Sequence, residues 1–455
     1  MRLSSLSRRQ FLRLGAVSLA SAGLLTACGA QKKEMSIQST PSKAAKSKEL
    51  KILQMTHFVP AYDEWFDKDF TQKWARENGM TVVVDHVGSG DIYARAAAEA
   101  ASRTGHDLVG FVSPPAVFEK ELVDMAGVVK TLESKLGAME KFIKPYLYNP
   151  KTEKWFAVSD HWVPAPPHYR KDLWEAVEPG SNPSTYEEVL RIGKKLMVQK
   201  YPIGIGFSPE MDSNTTLRGI LYSYGGSEQD ENGKIVINSP QTITALKLAA
   251  TLYKETMGAE VFSWSASSNN QFMLGGKSSL VFNAISVLRT AEKNNPNLAK
   301  EILIARMPAG PVRRVAPINV ISQYGIWQFS PNIEEAKKLI VDLITNYATA
   351  FAKSEMYNLP SFPGTVPNIK DLLAKDPSSN PPGKYSVLGT AQEWTTNSGF
   401  PGTANAAISE AVETFIVPKM FGVVAQGDMT AEDAVRWAEK ELKRIYTRWA
   451  GKGLV

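Results

Sequence analysis

Cysteine is nearly absent from this sequence. Its 455 residues include a single cysteine, Cys28, so no disulfide can form within the chain. Stability must therefore come from a hydrophobic core, and 43% hydrophobic residues over this length suits a globular protein of about two domains. Downstream of Cys28, no apolar run approaches the roughly 20 residues that a membrane-spanning helix needs.

An excess of positive charge is also missing from most of the chain. The formal net charge is +6, but the first 27 residues hold four arginines and no acidic residue, and residues 29–48 hold five lysines and one glutamate. Residues 49–455 thus carry a net charge of −2. A nearly neutral body offers no electrostatic footprint for nucleic acid, and we expect no nucleic-acid partner.

The N-terminus has the pattern of an export signal. A twin arginine, Arg8-Arg9, precedes an apolar run from residue 14 to 25 that is too short to span a bilayer. The run ends in Leu25-Thr26-Ala27-Cys28, which resembles a bacterial lipobox. We expect residues 1–27 to be a Tat-type lipoprotein signal peptide, with Sec export as the alternative, and residues 28–48 to be a lipidated cysteine and flexible tether.

Residues 50–112 alternate between two periodicities. Residues 50–58, 81–87 and 107–112 are strand-like, whereas residues 62–79 and 91–105 have helical spacing. This succession predicts right-handed βαβ units and a parallel sheet. Ligands of such sheets bind beyond the carboxyl ends of the strands, which places the segments at His57-Phe58 and Ser113-Pro114 at the mouth of a cleft.

Residues 154–197 carry a family pattern. An apolar strand is followed by Tyr169-Arg170-Lys171-Asp172-Leu173, a proline, and a helix whose start is predicted by a capping box of Ser184 and Glu187. This succession resembles the family 1 extracellular solute-binding proteins of bacterial ABC importers. Further segments match that family in order: residues 204–209 (GIGFSP), 221–226 (LYSYGG), 238–240 (NSP), 264–283 (WSASSNNQFMLGGKSSLVFN), 324–326 (YGI) and 399–402 (GFPG).

The resemblance implies an α/β, two-lobed periplasmic-binding-protein-like fold of type II, with a ligand cleft between lobes joined by hinge strands. We expect residues 49–158 plus 279–329 in lobe one and residues 159–278 plus 330–455 in lobe two. It further implies a monomer that is no enzyme and that delivers a carbohydrate to ABC transporter permease subunits. Together with the lipobox-like N-terminus, we expect a protein that is lipid-anchored to the cell membrane and faces the periplasm or extracellular space. A ligand stabilises closure of the lobes by its differential affinity for the closed state.

Signatures of other site classes are incomplete. The segment Gly275-Gly276-Lys277-Ser278 ends like a P-loop, but Gln271 stands where the first glycine is needed. Gly204-x-Gly206 lacks the third glycine of a dinucleotide fingerprint. The five histidines form no HExxH motif, and no G-x-S-x-G elbow is present. The sequence predicts no cofactor, no metal and no catalytic residue.

Sugar recognition needs flat aromatic side chains for the apolar C–H faces and fixed amide or carboxylate partners for the hydroxyls. Trp162 and Trp264 are the first stacking candidates, although each could instead be a packing residue. The predicted ligand-binding residues are Phe58, Trp162, Asp212, Trp264, Asn269, Asn283, Trp394 and Phe400.

Two alternatives remain open from the sequence. The same fold could bind a non-sugar solute, such as an amino-acid derivative or a polyamine, although the predicted cleft segments are more aromatic and amide than acidic. The chain could also be a surface-tethered glycosidase that uses two carboxylates, for which Asp160, Glu210 and Asp212 are available. No sequence motif places two of these carboxylates at the separation that a glycosidase needs.

Overall fold

The computed structural model describes residues 48–455, and these form one compact unit. The predicted signal peptide, Cys28 and nearly all of the tether lie outside the described residues. The strands are β1 (Glu49–Met55), β2 (Thr81–Val87), β3 (Leu108–Phe111), β4 (Tyr148–Asn149), β5 (Lys154–Trp155), β6 (His161–Val163), β7 (Pro167–Arg170), β8 (Ile203–Gly204), β9 (Leu280–Phe282), β10 (Ile302–Ile304), β11 (Ala316–Pro317), β12 (Val320–Ile321), β13 (Gln323–Ile326), β14 (Leu359–Pro360) and β15 (Thr395–Thr396).

The α-helices surround these strands. They are α1 (Pro60–Trp65), α2 (Thr71–Asn78), α3 (Ile92–Ser102), α4 (Ala126–Leu136), α5 (Lys144–Leu147), α6 (Lys171–Val177), α7 (Tyr186–Val198), α8 (Met211–Ser223), α9 (Pro240–Thr256), α10 (Ser268–Leu274), α11 (Ser286–Asn294), α12 (Pro296–Ala299), α13 (Ile333–Thr345), α14 (Tyr347–Lys353), α15 (Ile369–Ala374), α16 (Ala406–Glu413), α17 (Ile416–Gln426) and α18 (Ala431–Gly451). Within residues 48–455, no helix is both long and apolar enough to cross a membrane.

Two four-stranded sheets form the centre of the fold. The first has the order β13-β3-β1-β2, with β1 parallel to both β2 and β3, as the βαβ pattern predicted, and β13 antiparallel at the edge. The second has the order β10-β7-β9-β8. The α/β fold class is therefore confirmed, with one central sheet for each half.

Short strands carry the chain between the two sheets. β6 leads from the first sheet towards β7, and β11 and β12 lead back from β10 to β13. β6 pairs antiparallel with β12 and β14, while β11 pairs parallel with β15. We call β6, β11, β12, β14 and β15 the crossing strands, because they occupy the position expected of hinge strands.

The packing differs from the expected lobe boundaries. Strands β9 and β10 belong to the second sheet, so only β13 of the predicted segment 279–329 joins the first. Helix α13 packs on α4 and β13, and its Asp342 accepts a 2.9 Å hydrogen bond from Trp74 Nε1 of α2. Residues 333–345 therefore lie with the first sheet, although the sequence suggested lobe two. The division into two mobile lobes remains a prediction.

Two local predictions also change. Residues 62–79 form α1, a π-helical turn at Phe66–Phe70 and α2 rather than one helix, although Gly79 ends α2 at φ 64° as expected. The N-cap of α7 is Thr185, whose Oγ1 accepts the Glu188 N–H at 3.1 Å, not Ser184. The cap moves by one residue because Thr185 bridges to Ala309 through the backbone.

Candidate functional site

A cavity of about 350 Å³ lies between the two sheets. Its first wall comes from the segments that follow β2 and β3, including Ser89 and Ser113. The start of α8 and the loop after Phe262 form the opposite side, the end of α16 lies between the two sides, and the crossing segment at residues 317–321 completes the lining. The predicted position beyond the strand ends is confirmed for Ser113 and Pro114.

Trp264 is the predicted aromatic residue that reaches this cavity. Its ring packs edge-on to Phe272 with centroids 5.4 Å apart, and its carbonyl accepts a 2.7 Å hydrogen bond from the Ser208 hydroxyl. The ring also lies against Gly204, where an added Cβ would come within 2.4 Å of it. These contacts fix the indole plane before any ligand arrives, which lowers the entropic cost of stacking.

Glu210 lines the cavity, but its carboxylate is hydrogen-bonded to the first residues of α8. As the N-cap of α8, its carboxylate accepts the backbone N–H groups of Asp212 at 2.7 Å and Ser213 at 2.5 Å, together with the Ser213 hydroxyl. Burial raises the pKa of Glu210, and the neighbouring Asp212 charge raises it further. We assign Glu210 to holding the start of α8 in place.

Asp212 also accepts hydrogen bonds from other parts of the protein, at both of its carboxylate oxygens. Its Oδ2 accepts Asn269 Nδ2 at 2.6 Å, and its Oδ1 accepts Asn319 Nδ2 at 2.9 Å. Burial raises the pKa of Asp212, while these two amide donors act in the opposite direction. Asp212 thus ties α8 to α10 and to the crossing segment, and the predicted partners Asp212 and Asn269 do lie together.

A smaller cavity of about 10 Å³ adjoins the first and shares Met211, Ala266 and Asn319 with it. Three predicted residues line it, namely Phe58, Asp212 and Asn283. Asn283 donates to Asn270 Oδ1, and Phe58 is 36% exposed. Five of the eight predicted residues therefore gather around one site: Phe58, Asp212, Trp264, Asn269 and Asn283.

The other three predicted residues pack elsewhere. Trp162 lies in crossing strand β6, where its Nε1 donates to the Pro360 carbonyl at 3.2 Å and its ring meets Phe142 edge-on. Trp394 is buried beside β15. Phe400 packs on Tyr222 and the guanidinium of Arg313. None of the three lines the cavity between the sheets in the described part of the chain.

Several cavity residues escaped the sequence prediction, including Tyr146, Asn214, Asn319, Glu413 and Phe415. Tyr146 is held by Ser398, whose backbone N–H donates to the Tyr146 hydroxyl at 2.8 Å. These residues come from distant parts of the chain, and most sit at ordinary helical or loop positions. Asn319 had a usable signal, because it directly precedes the β-branched pair Val320-Ile321, and an amide beside such a pair is placed at the end of a short strand.

The cavity contains no cationic side chain among the lining residues that the structure describes. Within residues 48–455 there is also no group of three histidine, cysteine, aspartate or glutamate side chains that could hold a metal ion. The site therefore combines aromatic faces, amides, hydroxyls and carboxyls. This set suits hydrogen bonding and stacking rather than metal or phosphate binding.

A family model described as bacterial extracellular solute-binding protein matches residues 59–358. A Deinococcus radiodurans protein named as an ABC transporter-binding protein is 25% identical over 181 residues, or 38% of this chain. The chain spans 43% of the length of that curated relative.

Solved structures resemble most of the chain. Maltose-bound MalE3 from T. maritima has a TM-score of 0.72 at 21% identity, covering 87% of this chain and 99% of that one. A sugar transporter protein from Arthrobacter chlorophenolicus A6 with bound laminaribiose has the same TM-score and coverage at 17% identity. At these identities the similarity establishes the fold, and it agrees with the periplasmic-binding-protein architecture.

Proposed function

Because this chain belongs to the bacterial extracellular solute-binding protein family, we propose that it captures a carbohydrate between its two sheets and delivers it to an ABC importer. The carbohydrate would be a sugar, an oligosaccharide or a polyol glycoside. The permease subunits of that importer would be the macromolecular partner. Extracellular or periplasmic solute binding follows from the family itself.

The observation that carries the proposal is the chemistry of the 350 Å³ cavity. Trp264 and Phe415 offer aromatic surface, while several serines and the second amide N–H of Asn214 and of Asn319 offer hydrogen bonds. A pyranose presents apolar C–H faces and a rim of hydroxyls, which this mixture complements. The maltose and laminaribiose bound by the two structural neighbours support the same ligand class.

Members of this family are non-enzymatic components of transport, and the chain is accordingly not an enzyme. The glycosidase alternative needs one carboxyl free to donate a proton and another free to attack or activate water. Glu210 and Asp212 are instead bound to backbone amides and asparagine side chains. A non-sugar solute remains the second candidate because the cavity includes carboxyls.

We also propose that Cys28 carries the lipid anchor, after cleavage of residues 1–27, and that the protein faces the periplasm or extracellular space. The order of twin arginine, short apolar run and lipobox-like Leu25-Thr26-Ala27-Cys28 supports this proposal. Residues 29–48 would then give the binding body reach above the membrane.

A thermal-shift screen with the purified full-length protein tests the ligand class. The panel contains mono-, di- and oligosaccharides, polyols, amino acids and polyamines. At about a hundredfold excess over Kd, binding adds about 2.7 kcal/mol of stability, which raises Tm by a few degrees for a chain of this size. A Tm shift with one sugar class supports the proposal. Shifts only with polyamines or amino acids would instead show that the ligand is a non-sugar solute. Release of product from any oligosaccharide would contradict the non-enzymatic assignment.

A further inference from the structure

Three carboxyls stand at the ligand site, and two of them are already occupied. Glu210 is used by the N-terminus of α8, and both oxygens of Asp212 accept asparagine amides. The third, Glu413, is the last residue of α16 and lines the 350 Å³ cavity. Its side chain has the Ser113 hydroxyl as a hydrogen-bond donor. A carboxylate can accept about four hydrogen bonds, and Glu413 has one donor against two for Asp212 and three for Glu210, so it keeps the most acceptor capacity for a ligand.

Helix α16 holds Glu413 against the first sheet's wall. The helix packs on the turn at Ala116–Phe118, and its Ser409 hydroxyl donates to the Pro114 carbonyl. On the opposite face, the carbonyl of Val412 accepts Asn214 Nδ2 of α8 at 3.2 Å. These contacts hold Glu413 between the end of β3 and the start of α8. Those two segments line the sides of the cavity that a ligand would bridge.

Burial raises the pKa of Glu413, although the Ser113 hydroxyl acts in the opposite direction. The carboxylate is therefore poorly compensated by the protein alone. Additional donors from a ligand, such as two adjacent hydroxyls or an ammonium group, would stabilise the charged form.

The surroundings of the cavity favour one sign of ligand charge. Among the described lining residues there is no lysine, arginine or histidine. The nearby Arg218, behind Asn214, is paired with Glu228 at 2.6 Å and does not line the cavity. An anionic ligand would have to approach the Glu413 carboxylate with no cation among these lining residues to offset the repulsion and desolvation.

We propose that Glu413 is the polar anchor for the ligand and makes the site select neutral or amine-bearing sugars over anionic ones. This inference rests on the proposed carbohydrate-binding function. It deepens that function by excluding uronic acids and sugar phosphates from the substrate class. Glu413 would accept hydrogen bonds from a hydroxyl pair or an ammonium group while Trp264 covers a sugar face.

The test compares matched sugars that differ in one substituent. Calorimetric titration of the full-length protein uses glucose, glucosamine and glucuronate, and the β-1,4-linked disaccharides cellobiose, chitosan dimer and cellobiouronate. We expect binding by neutral or amino members, with the uronate counterpart at least tenfold weaker. Equal or tighter binding of a uronate would overturn the charge selection. Failure of all carbohydrates to bind would refute the proposed function itself, which is a distinguishable result.

Variants isolate the role of Glu413. Glu413→Gln should raise the Kd of the best-binding sugar about tenfold. It should also reduce the difference in Kd between that sugar and its uronate counterpart. Glu413→Asp keeps the charge but withdraws it by one methylene, so its Kd for the same sugar should lie between those of Glu413→Gln and the parent. The exposed Glu231 lies outside the cavity, so Glu231→Gln is the matched control and should bind as the parent does. Equal ligand-free Tm values establish folding, and Glu413→Gln binding within twofold of the parent would refute the anchor.

Discussion

Trp264 and Asp212 show how individual side chains at the cavity are set in place by their neighbours. Phe272, Gly204 and the Ser208 hydroxyl fix Trp264, while Asn269 and Asn319 fix Asp212. A site arranged in this way pays little conformational entropy when a ligand binds. The same saturation explains why Asp212 contributes to the shape of the site more than to direct ligand contact.

Replacement of Trp264 tests stacking at the residue scale. Trp264→Ala removes an aromatic face of the cavity, so we expect about a tenfold weaker Kd for the sugar identified in the screen, or about 1.4 kcal/mol. Calorimetric titration measures this change. The control is Trp155→Ala, because Trp155 lies in β5 beside Tyr148 and away from the cavity. An unchanged Kd for Trp264→Ala would exclude it from the binding surface.

At the scale of elements, helix α8 connects most parts of the site. Glu210 caps it, Asp212 reaches α10 and the crossing segment, Asn214 reaches α16, and Thr215 donates to Asn319 at 2.8 Å. All residues of α8 from Ser213 to Ser223 are buried. A helix with no solvent-facing side over this length transmits any displacement to each element that it contacts.

The hydrogen bond between His57, after β1, and Asn358, before β14, should make the stability of the fold depend on pH. His57 Nδ1 accepts the Val59 N–H at 2.9 Å, and its Nε2 donates to Asn358 Oδ1 at 3.0 Å, an arrangement that requires neutral imidazole. Burial and, to a smaller extent, the charge of His161 lower the pKa of His57 to about 4 despite the Asn358 bond and the charge of Asp160. The unfolded chain therefore takes up a proton from pH 6.5 downwards, and the folded chain does not.

We expect His57 to make the protein less stable in acid. As the pH falls from 7 to 5, the free energy of unfolding should decrease by roughly 2 kcal/mol on account of this group. Urea unfolding of the parent and of His57→Gln at both pH values measures the difference, and the variant should lack this part of the decrease. The control His86→Gln should show the opposite sign, because burial lowers the pKa of His86 but the Asp67 hydrogen bond and the charges of Asp63 and Asp67 together raise it above its usual value. Parallel pH profiles for the parent and His57→Gln would contradict the assignment.

For the molecule as a whole, the two sheets and the crossing strands place the cavity where both halves meet. Residues from the first sheet's loops, from α8 and from α16 all line this cavity, so a ligand bound there would contact both sides. Closure around a ligand would follow from stronger contacts in the closed state. The proposed lipid anchor would keep this body beside the importer's membrane subunits.

The anchor has its own test. Cys28→Ser removes the thiol that would carry diacylglycerol, so we expect the protein to move from the membrane fraction to the soluble fraction and to lose incorporation of labelled palmitate. The double variant Lys32→Gln, Lys33→Gln keeps the thiol and lowers only the electrostatic attraction to lipid head groups, and should stay in the membrane fraction. Retention and labelling of Cys28→Ser would refute lipidation at this residue.

The sequence by itself determined the family, the α/β class and the parallel pairing of β1 with β2 and β3, and it predicted Phe58, Asp212, Trp264, Asn269 and Asn283 as ligand-binding residues. Periodicity and segment order carry this information locally, because strands and caps depend on adjacent residues. Only the tertiary structure decided that Trp162, Trp394 and Phe400 pack away from the cavity, that α13 lies with the first sheet, and that Glu413 lines the cavity. Those outcomes depend on contacts between residues up to several hundred positions apart, which no local pattern encodes.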